Sequence, residues 1–423
     1  MEPTDDQRTR LSVVAFGPLD SGKSTTLGHL MYLVGAVSQR EMDKIEHNFA
    51  WIFDKRQDAR ERGITIDVSI GSQTLYTSQR AFTVVDTPGH LSFFKNTVTG
   101  MALADCGLLV IPPGSLVQSE ELAVVRDQLI TASTFGIKQV IVAVNKMNSV
   151  GYSNESFDQV KTEVAELMKT TGYSPEMVTF IPISAWNDDN LIQKSPRMAW
   201  YDGPTLLDAL DNLTPPHRPT EKPLRVTLQD AYKVSGVGTV AVGRVETGIL
   251  KRGMNVAFSP TGASSNVLSI EMNNQAVAEA GPGDHIGFCL PGVSTKELKR
   301  GFVASDVHKD PVQKAIEFTA QLVFLHLDGK LGVGANLVVH CHTTRVACRV
   351  KTIIAHVDRQ TGAVVDGDTE YMTKGDSWVV VLEPTQPMTV EAFREYPSLG
   401  RLVLREQNRV IGVGVVKSVQ KAP

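Results

Sequence analysis

The chain has 423 residues, 42% of them hydrophobic and 21% charged, the balance of a globular protein of two or three domains. No apolar run is long enough to span a bilayer, and the start Met1-Glu-Pro-Thr-Asp-Asp-Gln lacks the basic and apolar regions of a signal peptide. Four scattered cysteines (Cys106, Cys289, Cys341, Cys348) argue for a reducing, cytoplasmic setting over a disulfide framework. The net charge of −4 divides into −8 over residues 1–217 and +4 over 218–423, a surplus better read as solvated surface than as a nucleic-acid stripe.

Up to about Leu213, strand-like runs alternate with helical patterns. The strands are expected at Leu11–Phe16, Ala81–Val85, Cys106–Ile111, Val140–Val144 and Thr179–Ile183. A helix is expected at Thr25–Val34, and another at Phe157–Thr170 with Val160, Val164 and Leu167 inward and Glu163 and Glu166 outward. Such alternation predicts a mainly parallel sheet wrapped by helices, with ligand loops at the strands' carboxyl ends. At Thr214-Pro-Pro-His-Arg-Pro-Thr-Glu-Lys-Pro four prolines in ten residues read as an extended linker. Beyond it, short β-rich runs fit two β-barrels or sandwiches dividing near Ser305–Pro311. The expected domains are therefore 1–217, 218–308 and 309–423.

Gly17-Pro18-Leu19-Asp20-Ser21-Gly22-Lys23-Ser24 joins the first strand to the first helix. Its glycine spacing lets backbone N–H groups curl around a phosphate chain, Lys23 reach the terminal phosphates, and Ser24 ligate Mg²⁺; Asp20, Ser21, Gly22 and Thr25 complete the cradle. Asp86-Thr87-Pro88-Gly89-His90 ends the next strand. Asp86 can hold Mg²⁺ through water, Gly89 can sense a γ-phosphate, and His90 is the candidate for orienting water. Between them, Arg60-Glu-Arg-Gly-Ile-Thr-Ile-Asp67 offers Thr65 as a second hydroxyl for Mg²⁺ on a segment ordered by γ-phosphate. A solvated helix-to-strand turn explains Arg60–Arg62 equally well; position favours the switch. Asn145-Lys146-Met147-Asn148 and Ser184-Ala185-Trp186 close the next strands, where a purine-reading loop belongs. Lys146 can lie along the base, and the Ala185 N–H can meet its carbonyl. In this order the full set specifies a GTPase fold.

The chain resembles the translational GTPases, most closely elongation factor 1-alpha, over nearly its whole length. Besides these motifs, the likeness rests on Lys222-Pro-Leu-Arg, Leu228-Gln-Asp, Val242-Gly-Arg-Val-Glu-Thr-Gly, Cys341-His-Thr and Gly412-Val-Gly-Val-Val-Lys. It implies an α/β P-loop GTPase domain followed by two β-barrel domains, GTP/GDP and Mg²⁺ as ligands, and GTP hydrolysis on the ribosome during aminoacyl-tRNA delivery by a monomer. By the family pattern Leu19 and Ile64 form an apolar gate beside His90. An exchange factor is a further implied partner. Release- or rescue-type relatives are disfavoured, because only about ten residues precede the first strand. The His340-Cys341-His342 run with Cys348 is discounted as a metal site, because alternation sends Cys341 to one face and both histidines to the other.

The departures touch partner-facing places. The family's Asn-Lys-x-Asp ends here in Asn148, which replaces a carboxylate acceptor for guanine N1–H and the 2-amino group. This predicts weakened guanine selectivity and a better fit to a xanthine base. The aminoacyl-end pocket reads Glu271-Met-Asn273-Asn274 and Gly283-Asp284-His285 where the family has Glu-Met-His-His and Gly-Asp-Asn. The helix that contributes to exchange-factor contact in related factors reads Val124-Val-Arg-Asp-Gln128, and Leu91-Ser92 replaces Arg-Asp after His90. These changes leave open a nucleotide-binding scaffold, with a cytoskeletal or other protein partner and slow or lost turnover.

Overall fold

Thr9–Phe16 (β1) has six consecutive buried residues, the pattern of a strand covered on both faces. It lies at the centre of a sheet with Arg80–Asp86 (β2), Cys106–Ile111 (β3), Val140–Val144 (β4) and Val178–Pro182 (β5), in the order β2-β1-β3-β4-β5. All these neighbours are parallel, and the short strands Ser69–Ile70 and Leu75–Tyr76 pair antiparallel with β2. The five principal strands are those expected from sequence, with ends displaced by no more than two residues. The computed structural model describes residues 8–54, 57–62, 64–71, 73–114, 121–358, 361, 363–365 and 370–422.

One face of the sheet packs on Lys23–Leu33 (α1) and on Leu206–Asp211; the other packs on Phe94–Ala102 (α2), Glu121–Phe135 (α3) and Asn154–Thr170 (α4). In α4, Phe157, Val160, Val164 and Met168 are buried, Glu166 is exposed, and Ser153 caps the start through the Ser156 N–H. Leu167 is only half-buried, because the helical stripe drifts and Met168 takes the core position. The strand order reverses between β1 and β3, so the loops leaving β1, β2, β4 and β5 gather at one edge.

The chain divides into two compact units, 1–216 and 217–423, at the proline-rich stretch. Among its described residues the second unit contains two large antiparallel sheets and two small two-stranded ones. Eight strands from Arg225–Val234 to Val303–Asp306 surround one core that includes Val226, Phe258, Ile270 and Phe288. The ten-residue strand Arg225–Val234 is absent from the sequence-based expectations because Thr227, Gln229, Asp230 and Lys233 interrupt its apolar run. In the second sheet, Asn336–Cys341 pairs with both Arg401–Glu406 and Thr344–Val357, closing a six-strand barrel. Cys341 and Cys348 lie in its core, whereas His342 Nε2 sits 3.0 Å from the Thr389 carbonyl oxygen.

A buried charge cluster joins the two sheets. Arg225, fully buried, donates to Asp310 Oδ2 at 2.7 Å and to Glu391 Oε1 at 3.2 Å, and its guanidinium lies 4.3 Å from the Tyr396 ring centroid. Lys421 meets the other Glu391 oxygen at 2.8 Å, and the Tyr396 hydroxyl donates to Asp310 Oδ2 at 2.7 Å. Each buried charge thus has an opposite partner, the condition under which such a cluster is tolerated.

Candidate nucleotide site

The loop after β1 is shaped by close approach. A Cβ on Gly17, which has φ = 141°, would lie 2.1 Å from the Val110 carbonyl oxygen. Gly22, at φ = 89°, would bring one within 2.3 Å of Asn145 Nδ2. The first intrahelical bond of α1 runs from the Thr26 N–H to the Gly22 carbonyl. The N–H groups of Lys23, Ser24 and Thr25 therefore precede that ladder and are available to an anion. Lys23 is buried inside the loop, its ammonium donating to the Pro18 carbonyl at 2.6 Å and to Ser21 Oγ at 3.4 Å. Burial lowers its pKa to about 8 against the opposing pull of Asp86 and Asp20. Asp20 is exposed and holds φ = 56°. Gly89 lies against this ammonium: a Cβ there would fall 2.5 Å from Lys23 Nζ and 2.7 Å from the Pro18 carbonyl oxygen.

Ser24, Thr65 and Asp86, from three separate stretches, meet at one point. Ser24 Oγ donates to Asp86 Oδ2 at 2.6 Å and lies 3.2 Å from Thr65 Oγ1. The Asp86 Oδ1 atom is buried without a hydrogen-bond partner, and burial pushes this carboxyl up to about 7. An all-oxygen set with an orphaned carboxylate oxygen is what a hard divalent cation such as Mg²⁺ accepts. Sequence reasoning missed a second carboxylate here. Asp54 is buried, its pKa is raised by that burial, and its Oδ2 accepts from Thr65 Oγ1 at 3.5 Å. The turn Phe49–Ile52 ahead of it and the Arg60 side chain, which donates to the Asp54 carbonyl at 2.6 Å, hold this stretch in place.

His90 is exposed, and its Nδ1 accepts the Ser92 N–H at 3.1 Å, leaving Nε2 to carry the proton of the neutral ring. Its aromatic neighbour is Phe93, at 6.0 Å between centroids. Leu19 and Ile64 are half-buried residues of the two neighbouring loops.

At the other end, Asn145 ties the loops together. Its Nδ2 donates to the Ser21 carbonyl at 2.8 Å, and its Oδ1 accepts the Ala185 N–H at 2.9 Å. That N–H, assigned from sequence to a base carbonyl, therefore already has a partner, which a base would have to share. Lys146, exposed, holds φ = 65°. Asn148 is also exposed, and its Oδ1 accepts from Ser184 Oγ at 3.0 Å. Trp186 is 65% exposed. Asp188, absent from the sequence reading, holds φ = 65°, and its Oδ1 is buried without a hydrogen-bond partner.

Two further motifs change meaning in the structure. Gln128, taken from sequence as part of a regulator-facing surface, is fully buried and donates to the Gly17 carbonyl at 3.2 Å, supporting the phosphate loop from below. Val124 and Asp127 of the same helix are buried too. Asn273 and Asn274 form the turn between Ser269–Met272 and Gln275–Val277 with φ of 52° and 61°. A two-residue hairpin turn with both φ positive favours Asn, a local reason for this departure from the family's histidines.

Comparison with known proteins agrees with this geometry. Residues 8–216 match the elongation factor Tu GTP binding domain, 238–305 elongation factor Tu domain 2, and 317–417 the GTP-eEF1A C-terminal domain-like family. The chain is 43% identical to elongation factor 1-alpha of Entamoeba histolytica, covering 98% of this chain and 96% of that protein. It is 42% identical to elongation factor 1-alpha of Plasmodium falciparum, with the same coverage. Among solved structures, the Ski7 GTPase-like domain of S. cerevisiae shares the fold at TM-score 0.78 and 16% identity, over 97% of each chain. SelB of Methanococcus maripaludis does so at 0.71 and 18%, over 98% of this chain and 80% of that one. No helix among the described residues is long and apolar enough to cross a membrane. With its phosphate loop, carboxylate–hydroxyl cluster and two following β domains in place, the chain is a GTPase that belongs to the elongation factor 1-alpha family.

Proposed function

We propose that this GTPase acts in the cytoplasm on the ribosome, accompanying delivery of aminoacyl-tRNA, with domains dividing at 217 and 308. The observation that carries the reading is the meeting of Ser24, Thr65 and Asp86 beside the Lys23 ammonium. Lys23 and the N–H groups of Lys23, Ser24 and Thr25 hold the phosphates. Ser24 and Thr65 would hold Mg²⁺ through their hydroxyls, and the Asp86 and Asp54 carboxylates would hold it through water. Mg²⁺, when bound, neutralises phosphate charge. Because Thr65 lies on a segment separate from the phosphate loop, loss of the γ-phosphate would free it. His90 positions water by donating from Nε2, since its Nδ1 is engaged by Ser92. Leu19 and Ile64 restrict access to that water.

Asn148 modifies the base end. Its Oδ1 is engaged by Ser184, so its amide NH₂ group is left for the base, a donor facing the donors of guanine. Guanine selectivity is therefore weakened while the phosphate grip persists. An exchange factor is part of the proposal. A scaffold role with a cytoskeletal partner is not favoured by relatives named elongation factor 1-alpha over nearly the whole chain. Protection of the aminoacyl ester tests the delivery role: the chain with a non-hydrolysable GTP analogue should slow deacylation of aminoacyl-tRNA, and the GDP form should not. Equal deacylation with and without the protein would remove delivery from the account.

A further inference from the structure

His29 lies on α1, six residues beyond Lys23, and is almost fully buried. Its Nδ1 is 2.5 Å from the Ala185 carbonyl oxygen, so Nδ1 carries a proton and donates to it. That carbonyl belongs to the peptide linking Ala185 to the exposed Trp186. The His29 ring stacks on Phe49, 4.0 Å between centroids and 13° between planes. Phe49 in turn meets the Trp186 ring edge-on at 5.8 Å.

Phe49 opens the turn Phe49–Ile52, which lies flush against α1 because Gly28 has no side chain: a Cβ there would be 2.1 Å from the Phe49 carbonyl oxygen. Two residues after this turn comes Asp54. Arg60 locks the stretch, donating to the Asp54 carbonyl at 2.6 Å and to the Trp51 carbonyl at 3.4 Å, with its guanidinium 5.1 Å from the Trp51 ring. One packed path therefore runs from the base loop, through His29 and Phe49, to the carboxylate beside Thr65.

We propose that His29 is a positioning residue that couples the base loop to segment 49–54, so that the two ends of the bound nucleotide sense each other through it. The proposal rests on the nucleotide reading of the site. The His29 N–H fixes the Ala185–Trp186 peptide, and the Phe49 stack fixes the His29 ring. When Thr65 and Asp54 shift with the γ-phosphate, Phe49 shifts, and the support of the base loop changes with it. The physical requirement for such coupling is contiguous packing with two arrangements, and the stack supplies the contact that both would share.

The test measures GDP affinity by titration for wild type, His29→Phe, Phe49→Leu and the double variant, with folding checked by circular dichroism. His29→Phe keeps the stack and removes the donor; losing one hydrogen bond should weaken GDP about 3- to 10-fold. Phe49→Leu should weaken it to a similar degree, and the double variant should bind no more weakly than the poorer single one. Folded single variants within twofold of wild type, or losses that multiply, would overturn the coupling. A second readout is spectroscopic. The Trp186 emission, taken as the difference between the Trp186 protein and its Trp186→Phe counterpart, should differ between the GDP and GTP-analogue forms of the wild type, and the difference should fall in folded His29→Phe, which leaves the Phe49–Trp186 contact in place. A merely structural role for His29 would leave that signal unchanged in His29→Phe. An identical Trp186 signal in both nucleotide forms of the wild type would also overturn the proposal. A wild type that binds no nucleotide at all would instead refute the reading of the site itself.

Discussion

Asn148→Asp isolates the base end of the site from everything else. In the structure the single carbonyl oxygen of Asn148 already accepts from Ser184 Oγ at 3.0 Å. Aspartate would keep one oxygen on Ser184 and turn the second, charged, toward the N1–H and 2-amino donors of guanine. A hydrogen bond to a charged group contributes about 1.5–3 kcal/mol, so GDP affinity should rise roughly 10- to 150-fold. XDP, which carries a carbonyl at position 2, should move the other way, because its oxygen would face a carboxylate instead of an NH₂ group. Stability should hardly change, since position 148 is exposed. Competition titrations with GDP and XDP on both proteins measure the effect. Equal GDP affinity in the two, or XDP binding that does not fall in the variant, would show that Asn148 does not read the base.

Three further outcomes follow from the same structure. Gly89→Ala places a methyl 2.7 Å from a backbone oxygen and 2.5 Å from Lys23 Nζ; it should cost about 1–3 kcal/mol and weaken nucleotide binding at least tenfold, read by titration. Arg225→Met removes one of the two cations paired with the buried Glu391 and leaves it Lys421; urea unfolding should show a loss of about 3 kcal/mol, and a neutral result would mean the cluster adds no net stability. His342 is held neutral by burial, its pKa lowered to about 4. Because that value lies below the unfolded one near 6.5, its contribution is full above pH 6.5 and is lost as pH falls toward 4. The loss at pH 5 is about 2 kcal/mol, and unfolding curves of wild type and His342→Asn across that range should converge on acidification.

The positions of the Gly17–Ser24 loop, the Asp86 turn and the loops at Asn145 and Ser184 were legible in the sequence because each is a short contiguous motif at a strand's carboxyl end. The parallel order of the sheet follows from the alternation of apolar strands and helical patterns. What stayed hidden depends on contacts between distant segments. Asp54 is one carboxylate in a polar stretch, and only the fold turns it toward Thr65. Gln128 reads as a surface glutamine on a helix, yet it is buried under Gly17. His29 and Phe49 are 20 positions apart and carry no motif, so their stacking is visible only in three dimensions. Arg225 begins a strand whose polar residues mask its alternation, and its complete burial depends on Asp310, Glu391 and Tyr396 arriving from far along the chain.

We propose that the Lys23–Ser24–Thr65–Asp86 cluster and His90 form a GTP-hydrolysing centre that ribosomes activate. GTP turnover by wild type and His90→Ala, with and without ribosomes programmed with aminoacyl-tRNA, tests it most directly. Ribosomes should strongly stimulate the wild type. In His90→Ala, stimulated turnover should fall by about 10²- to 10⁴-fold, with GDP affinity within twofold of wild type. Ribosomes without effect on the wild type, or a variant that turns over GTP as fast as its parent, would contradict it.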